Sequence, residues 1–365
     1  MKRPAYGLLV GVAVGMGLVA VVVSFALDER LRDPEGFLGP AWVRLPAMVV
    51  GAFLVDVVPR SVWRARFKVR NILGEARTLV REHWARERIA LVVIGLTSFY
   101  VTYVSYRNLK NYLPRFYTTM EDPLLHKLDL WLFFGNEPAT VLHNVLGETW
   151  AAHFLAFIYL LYLPLAPASL VVWLVWSRNV SYGYWYATAN CLTWTLGTIS
   201  YYLIPTMGPN FWYPWLYRDL DVTGVTDLQD GLWNGRVDVR FPLNPFSDSI
   251  QSVAGFASLH TALTLVIALV AHYTVRHAVI RWAAWVFFVL TVISTLYFGW
   301  HYVADDLGGV VIAILAVWLG GIATGQRFER FGLRSRPSTS SAEVPVDEDD
   351  DDGRSDRVGS GSTTL

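Results

Sequence analysis

The chain has 365 residues, 54% of them hydrophobic and 16% charged, with no net charge and a mean hydropathy of +0.36. Soluble domains carry ~25% charged residues, so the composition excludes an ordinary soluble fold, and zero net charge removes the electrostatic case for a nucleic-acid partner. The single cysteine, Cys191, lies in an apolar run, which excludes an internal disulfide and makes packing its expected role.

In chain order, eight apolar runs are long enough to cross a bilayer as helices. They cover about 6–27, 40–57, 88–106, 150–175, 183–204, 251–274, 279–299 and 302–324. The first follows "MKR" as a signal peptide would, but it is too long and no small-residue cleavage site follows it, so it reads as a retained span. Between the second and third runs, "RSVWRARFKVRNILGEARTLVREHWARER" carries nine basic residues. With the N-terminus inside and the spans alternating, the inner segments, with Arg88 and Arg281, hold 20 of the 30 Lys and Arg. Both ends are therefore expected in the cytoplasm of a multi-pass cell-membrane protein.

Two loops on the outer side are long. Residues 107–149 contain "LLHKLDLWLFFGNEPATVLHNVLG", apolar at helical spacing, which predicts helices lying on the membrane surface. Residues 205–250 are rich in Pro, Gly, Asn, Asp and Trp and predict an irregular ordered cap. The tail from about 336 is acidic, poor in apolar residues and expected to be disordered. The fold class is thus all-α integral membrane with about eight transmembrane helices. Two N-terminal spans occupy 1–60 and a basic cytoplasmic linker 61–87. A six-helix catalytic bundle with outer surface helices occupies 88–325, and the cytoplasmic tail 336–365.

At the outer mouth, "STLYFGWHYVADDLGG" places His301, Asp305 and Asp306 between the last two runs. Ionisable residues at such depth are costly and functional by default. Asp305 follows His301 by four residues, on the same helical face, where its carboxylate can fix one ring nitrogen as donor and free the other as a nucleophile. His260 in "FASLHTAL" lies one span down and one span up, at matching depth. Ser258, at the start of that helix, could hold phosphate with its hydroxyl and nearby free N–H groups. As an alternative, "HYVADD" alone could be a helix cap. His83, His126, His143, His272 and His277 read as interfacial, and His153 as a candidate supporting residue. No metal-ligand pattern and no cofactor motif is present in the sequence.

"ASLH" followed by "STLYFGWHYVAD" resembles the second and third motifs of the phosphatidic acid phosphatase type 2 superfamily, P-S-G-H and S-R-x5-H-x3-D. The resemblance implies that His301 takes the phosphoryl group, Asp305 orients it and His260 protonates the leaving oxygen. Ser258 and Ser294 fall where the family contacts phosphate. Thr295 replaces the motif Arg, and Tyr201 and Gly208 stand where the first motif has Lys and Arg. "LIPTMGPNF", "SLH" and "STLY…HY..D" together resemble the inositol phosphorylceramide synthase branch, placing Gly208, Asn210 and Thr295 among the implied substrate contacts. A phospholipid or lipid-linked substrate in the bilayer is implied, processed at an extracytoplasmic site through a phosphohistidine. An alcohol acceptor makes the enzyme a phosphotransferase (phosphoinositol being one headgroup), and water makes it a lipid phosphatase. A transporter or a non-catalytic membrane protein ranks third, because polar residues collect at one mouth rather than at mid-span. Arg240 and Arg236, then Arg115 and Lys127, are the candidate replacements for the missing cations, and loss of the motif cations favours a diester donor.

Overall fold

The computed structural model describes residues 5–34, 41–117, 119–240, 253–328 and 335–337. In chain order the helices are α1 (Gly7–Leu27), α2 (Ala41–Arg64), α3 (Val69–His83), α4 (Arg86–Phe116), α5 (Asp122–Leu132), α6 (Pro138–Leu146) and α7 (Trp150–Trp176). There follow α8 (Val180–Leu203), α9 (Pro209–Trp212), α10 (Gly224–Arg240), α11 (Leu259–Thr274), α12 (Ala278–Tyr297) and α13 (Val303–Ala323). Two three-residue strands, β1 (Gln326–Phe328) and β2 (Ser335–Pro337), pair antiparallel beyond α13. The rest of the acidic tail lies outside the described residues.

The protein is an all-α integral membrane protein. Among the described residues, α1, α2, α4, α7, α12 and α13 are long and apolar enough to cross a bilayer. The two other expected spans, α8 and α11, lie inside the bundle. Helix α8 packs on α4, α13, α11 and α7 and is buried over most of its length. It tolerates hydroxyls because they bond back along the helix: Thr188 to the Tyr184 carbonyl (2.7 Å), Thr193 to Ala189 (2.8 Å) and Thr198 to Trp194 (2.8 Å). Satisfied in this way, a helix shielded from lipid needs no uniformly apolar surface.

Helix α11 begins at Leu259, not near 251, and has 16 residues. At ~1.5 Å per residue it is shorter than the ~30 Å hydrocarbon core. The irregular backbone before it is possible because protein groups take its N–H donors. Gly255 donates to the Thr206 carbonyl (2.8 Å), Phe256 to Thr206 Oγ1 (2.7 Å), Ala257 to Ser200 Oγ (2.9 Å) and Ser258 to the Asp305 carbonyl (2.9 Å).

Helix α4 also departs from expectation. The third run was expected to end at 106, yet α4 continues to Phe116. The continuation holds because α4 packs along α1, α8 and α10, and α1 presents Leu9, Ala13, Met16 and Ala20 as a buried stripe. The expected surface helices are α5 and α6. Helix α5 turns Leu124, Leu128 and Trp131 outward while burying Asp122 and Asp129. That inverted arrangement suits a helix with lipid on one side and a polar mouth on the other. The expected irregular cap is partly helical, since α10 spans 17 residues; residues 241–252 lie outside those described.

At the opposite end, buried Asp56 of α2 accepts from Arg60 (2.8 Å), Trp84 Nε1 (2.8 Å) and Trp176 Nε1 (2.7 Å), tying α2 to the start of α4 and the end of α7. The basic linker is mostly the amphipathic α3.

Candidate active site

Helices α11 and α12 are joined by a short turn, so the start of one and the end of the other reach the same mouth. His260 is the second residue of α11 and His301 lies in the turn between α12 and α13. Their ring centres are 6.0 Å apart. The His260 ring lies against Tyr159 and Tyr162, at 4.5 and 4.3 Å between centres. Tyr159 in turn stacks on Trp300 at 5.1 Å. Aromatic packing of this kind fixes a ring plane without consuming its nitrogens.

Asp305 reaches His301 by another route than a shared helical face. His301 precedes α13, and Asp305 is the third residue of that helix. Its Oδ2 accepts the Tyr302 N–H at 2.9 Å, as an N-terminal capping carboxylate does, and meets His301 Nδ1 at 3.4 Å. The same oxygen therefore caps α13 and faces the imidazole, so the cap and the orienting reading coexist. Burial holds the His301 pKa down to about 4; the nearby Asp306 charge opposes this and Lys110 adds to it. The ring is thus neutral near pH 7, with a lone pair for attack. Asp306, the second acid of the pair, accepts from Thr261 Oγ1 (2.5 Å) and Thr295 Oγ1 (3.0 Å).

The other motif residues are engaged around the site and do not line its cavity. Ser258 caps α11, accepting from the Thr261 N–H, and the N–H groups of 255–258 are already taken, so the phosphate cradle expected there is occupied by the fold itself. Ser294 donates to the Leu290 and Leu155 carbonyls and Thr295 holds Asp306. Gly208 has φ of 101° and lies against the Trp300 carbonyl, where any Cβ would collide; its N–H donates to Asp122 at 2.9 Å. Asn210 donates its backbone N–H to the Gly299 carbonyl at 2.8 Å. Arg236 donates to the Val253 carbonyl (3.2 Å) beside the site, whereas Arg240 ends α10 with its side chain outside the described residues. Arg115 pairs with Glu29 away from the site, Lys127 is exposed, and His153 faces Asp221 at 3.5 Å on an exposed surface.

A cavity of about 230 Å³ opens onto the two histidines, and Arg107 and Lys110 of α4 also line it. Sequence reading missed both, because it ended the span at 106 and assigned them to a loop. A signal was present: the two stand three apart in "YRNLKNY", one face of a helix that simply continues. Lys110 lies over the rings of Tyr106 and Tyr201, at 5.9 and 5.7 Å. Among the described residues no carboxylate pairs with it, and no Asp or Glu lines the cavity. Two more donors, the indole N–H groups of Trp194 and Trp300, are buried in the wall with no partner among the described residues.

Two aspartates of α5 anchor the mouth. Asp122 accepts from the Met207 N–H (3.0 Å), the Gly208 N–H (2.9 Å) and the Tyr302 hydroxyl (3.1 Å). Asp129 accepts the Val303 N–H at 3.1 Å, a second cap on α13. Burial pushes the Asp129 pKa up to about 7, against the Val303 hydrogen bond and with the charges of Asp305, Asp306 and Glu137. A carboxyl raised in this way favours the fold at low pH, and its contribution is lost as pH rises from the ordinary carboxylate range through about 7. The midpoint of thermal unfolding in detergent should therefore fall between pH 5 and 8. Asp129→Asn, which keeps an acceptor for Val303 and removes the charge, should flatten that fall; an unchanged slope would reject the assignment.

A family model of the PAP2 superfamily matches residues 123–319, more than half of the chain. No curated protein and no solved structure matches it. The matched stretch runs from α5 into α13 and takes in both histidines and Asp305, which caps α13, and by that match the chain belongs to the PAP2 superfamily.

Proposed function

We propose that the protein is a phosphotransferase that moves a phosphorylated lipid headgroup between lipids through a phosphohistidine on His301, phosphoinositol being the headgroup favoured. The observation that carries the proposal is the single cavity shared by His260, His301, Lys110 and Arg107. His301 Nδ1 faces Asp305, so Nε2 attacks phosphorus as the bond to the lipid alkoxide breaks, and His260 supplies that oxygen's proton. An acceptor hydroxyl then gives its proton to His260 and attacks the phosphohistidine, breaking the P–N bond. Lys110 and Arg107 stabilise the charge on the transferring group, in place of the cations absent from the motifs.

With two cations at the cavity, charge no longer separates a diester from a monoester, and loss of the motif cations does not by itself favour a diester donor. What supports a headgroup larger than phosphate is the wall: aromatic faces and two unpartnered indole donors suit a polyol ring and its hydroxyls. The second reading, a lipid phosphatase with water as acceptor, draws on the same two cations, which match a dianionic monoester. Purified protein with headgroup-labelled phosphatidylinositol distinguishes them. Transfer to an added lipid alcohol is the expected result; release of free headgroup phosphate alone would overturn transfer.

The basic-residue count supports an outward-facing mouth. A cysteine placed at exposed Trp215 should react with an impermeant thiol reagent on intact cells, and reaction only after lysis would reverse the orientation.

A further inference from the structure

At the end of the bundle away from the histidines, α7, α11 and α12 part around a cleft of about 670 Å³. It shares no residue with the catalytic cavity. Its walls are apolar, with Val172, Ile267, Ala271, Ile280 and Phe287, and Trp173 Nε1 donates to Thr274 Oγ1 at 3.2 Å in its lining. Since α7 and α12 are membrane spans, the cleft opens toward lipid chains and not toward water.

The mouth is different in kind. Arg178, from the turn between α7 and α8, and Arg276, from the turn between α11 and α12, both border the cleft with His277 beside them. The two guanidinium groups come from separate turns yet sit close enough for their charges to oppose one another. Among the described residues neither has a carboxylate partner. Two like charges converging at the rim of an apolar slot are complementary to an anion that carries an apolar chain, and basic pockets between spans recognise anionic headgroups in this way. The size falls within the ~300–1,000 Å³ of small-ligand clefts.

We propose that this cleft binds one anionic glycerophospholipid from the leaflet opposite the histidine pair, with a chain between α7 and α12 and its phosphate on Arg178 and Arg276. Much of α12 is exposed to lipid, and the bound chain gives it a packing partner at the end remote from His301.

The test uses the full-length protein, delipidated in detergent and examined by native mass spectrometry with phosphatidylglycerol or phosphatidylcholine of identical chains. Two arginines contributing as surface cations do to anionic-lipid affinity predict about 30-fold preferential retention of one phosphatidylglycerol. Arg178→Ala with Arg276→Ala should bring retention down to the phosphatidylcholine level, and because both side chains are exposed the fold should survive. Equal retention of the two lipids by the wild-type protein, a comparison that needs no variant, would overturn the proposal. So would an anionic preference that persists in the double variant. Neither readout depends on turnover, so failure of the phosphotransfer reading leaves this one to stand or fall separately.

Discussion

His301→Ala should abolish turnover, by about six orders of magnitude if the residue is the covalent nucleophile, as for nucleophile removal in other covalent enzymes. His301 is 5% exposed, so truncation leaves a buried Asp305 facing a void and costs about 1–3 kcal/mol of stability. His301→Asn is the better-controlled variant, because an amide can still donate toward Asp305 while offering no nucleophilic nitrogen. Acid-labile, base-stable phosphate should be trapped on the wild-type chain and be missing from both variants. Because the ring pKa is held near 4 and not 6.5, protonation should remove the nucleophile, and with it kcat/KM, only as pH falls toward 4. Asp305→Asn should cost on the order of 10⁴, the loss seen when the orienting aspartate of a serine-protease triad is amidated. A folded His301→Asn protein that keeps full headgroup transfer would end the phosphohistidine reading.

Lys110→Met should lower kcat/KM by about 10²–10³, the range for loss of one preorganised charge-stabilising donor. Methionine keeps the length and the contact with Tyr106 and Tyr201, so a structural role alone would leave activity nearly intact. Lys110→Arg should restore part of the loss, since the rings can also seat a guanidinium. The loss should fall mostly on kcat if the charge acts on the transition state, and mostly on KM if it only holds the resting phosphate. A change of less than about threefold would remove Lys110 from the machinery.

The spans and the histidine pair were legible in the sequence because each rests on a short-range signal, hydropathy over ~20 residues for the spans and fixed spacing for the motif. Less visible was what each motif residue is for. Ser258, Ser294 and Thr295 occupy motif positions, yet their hydroxyls cap α11, bond back along α12 and hold Asp306. A hydroxyl reads the same in sequence whether it faces a ligand or a neighbouring helix. Asp122 and Asp129 were hidden for the converse reason: on an amphipathic surface helix, acids are expected to face water, and only the folded mouth shows them turned inward. Arg107 and Lys110 were lost to a boundary, since hydropathy ends where charge begins although the helix does not.

The length of α4 has a bearing on modularity. The family segment begins at residue 123, past the end of α4, so the histidines lie inside it and Arg107 and Lys110 outside. A fragment cut at that border would carry His301 and His260 but neither Arg107 nor Lys110 of the cavity they share. The two N-terminal spans, which would look like an optional anchor, hold α4 along its length through α1. The unit that carries the whole histidine cavity is therefore larger than the segment by which the family is identified, and a chimera joining 123–319 to another protein's leading helices would inherit whatever charge those helices bring.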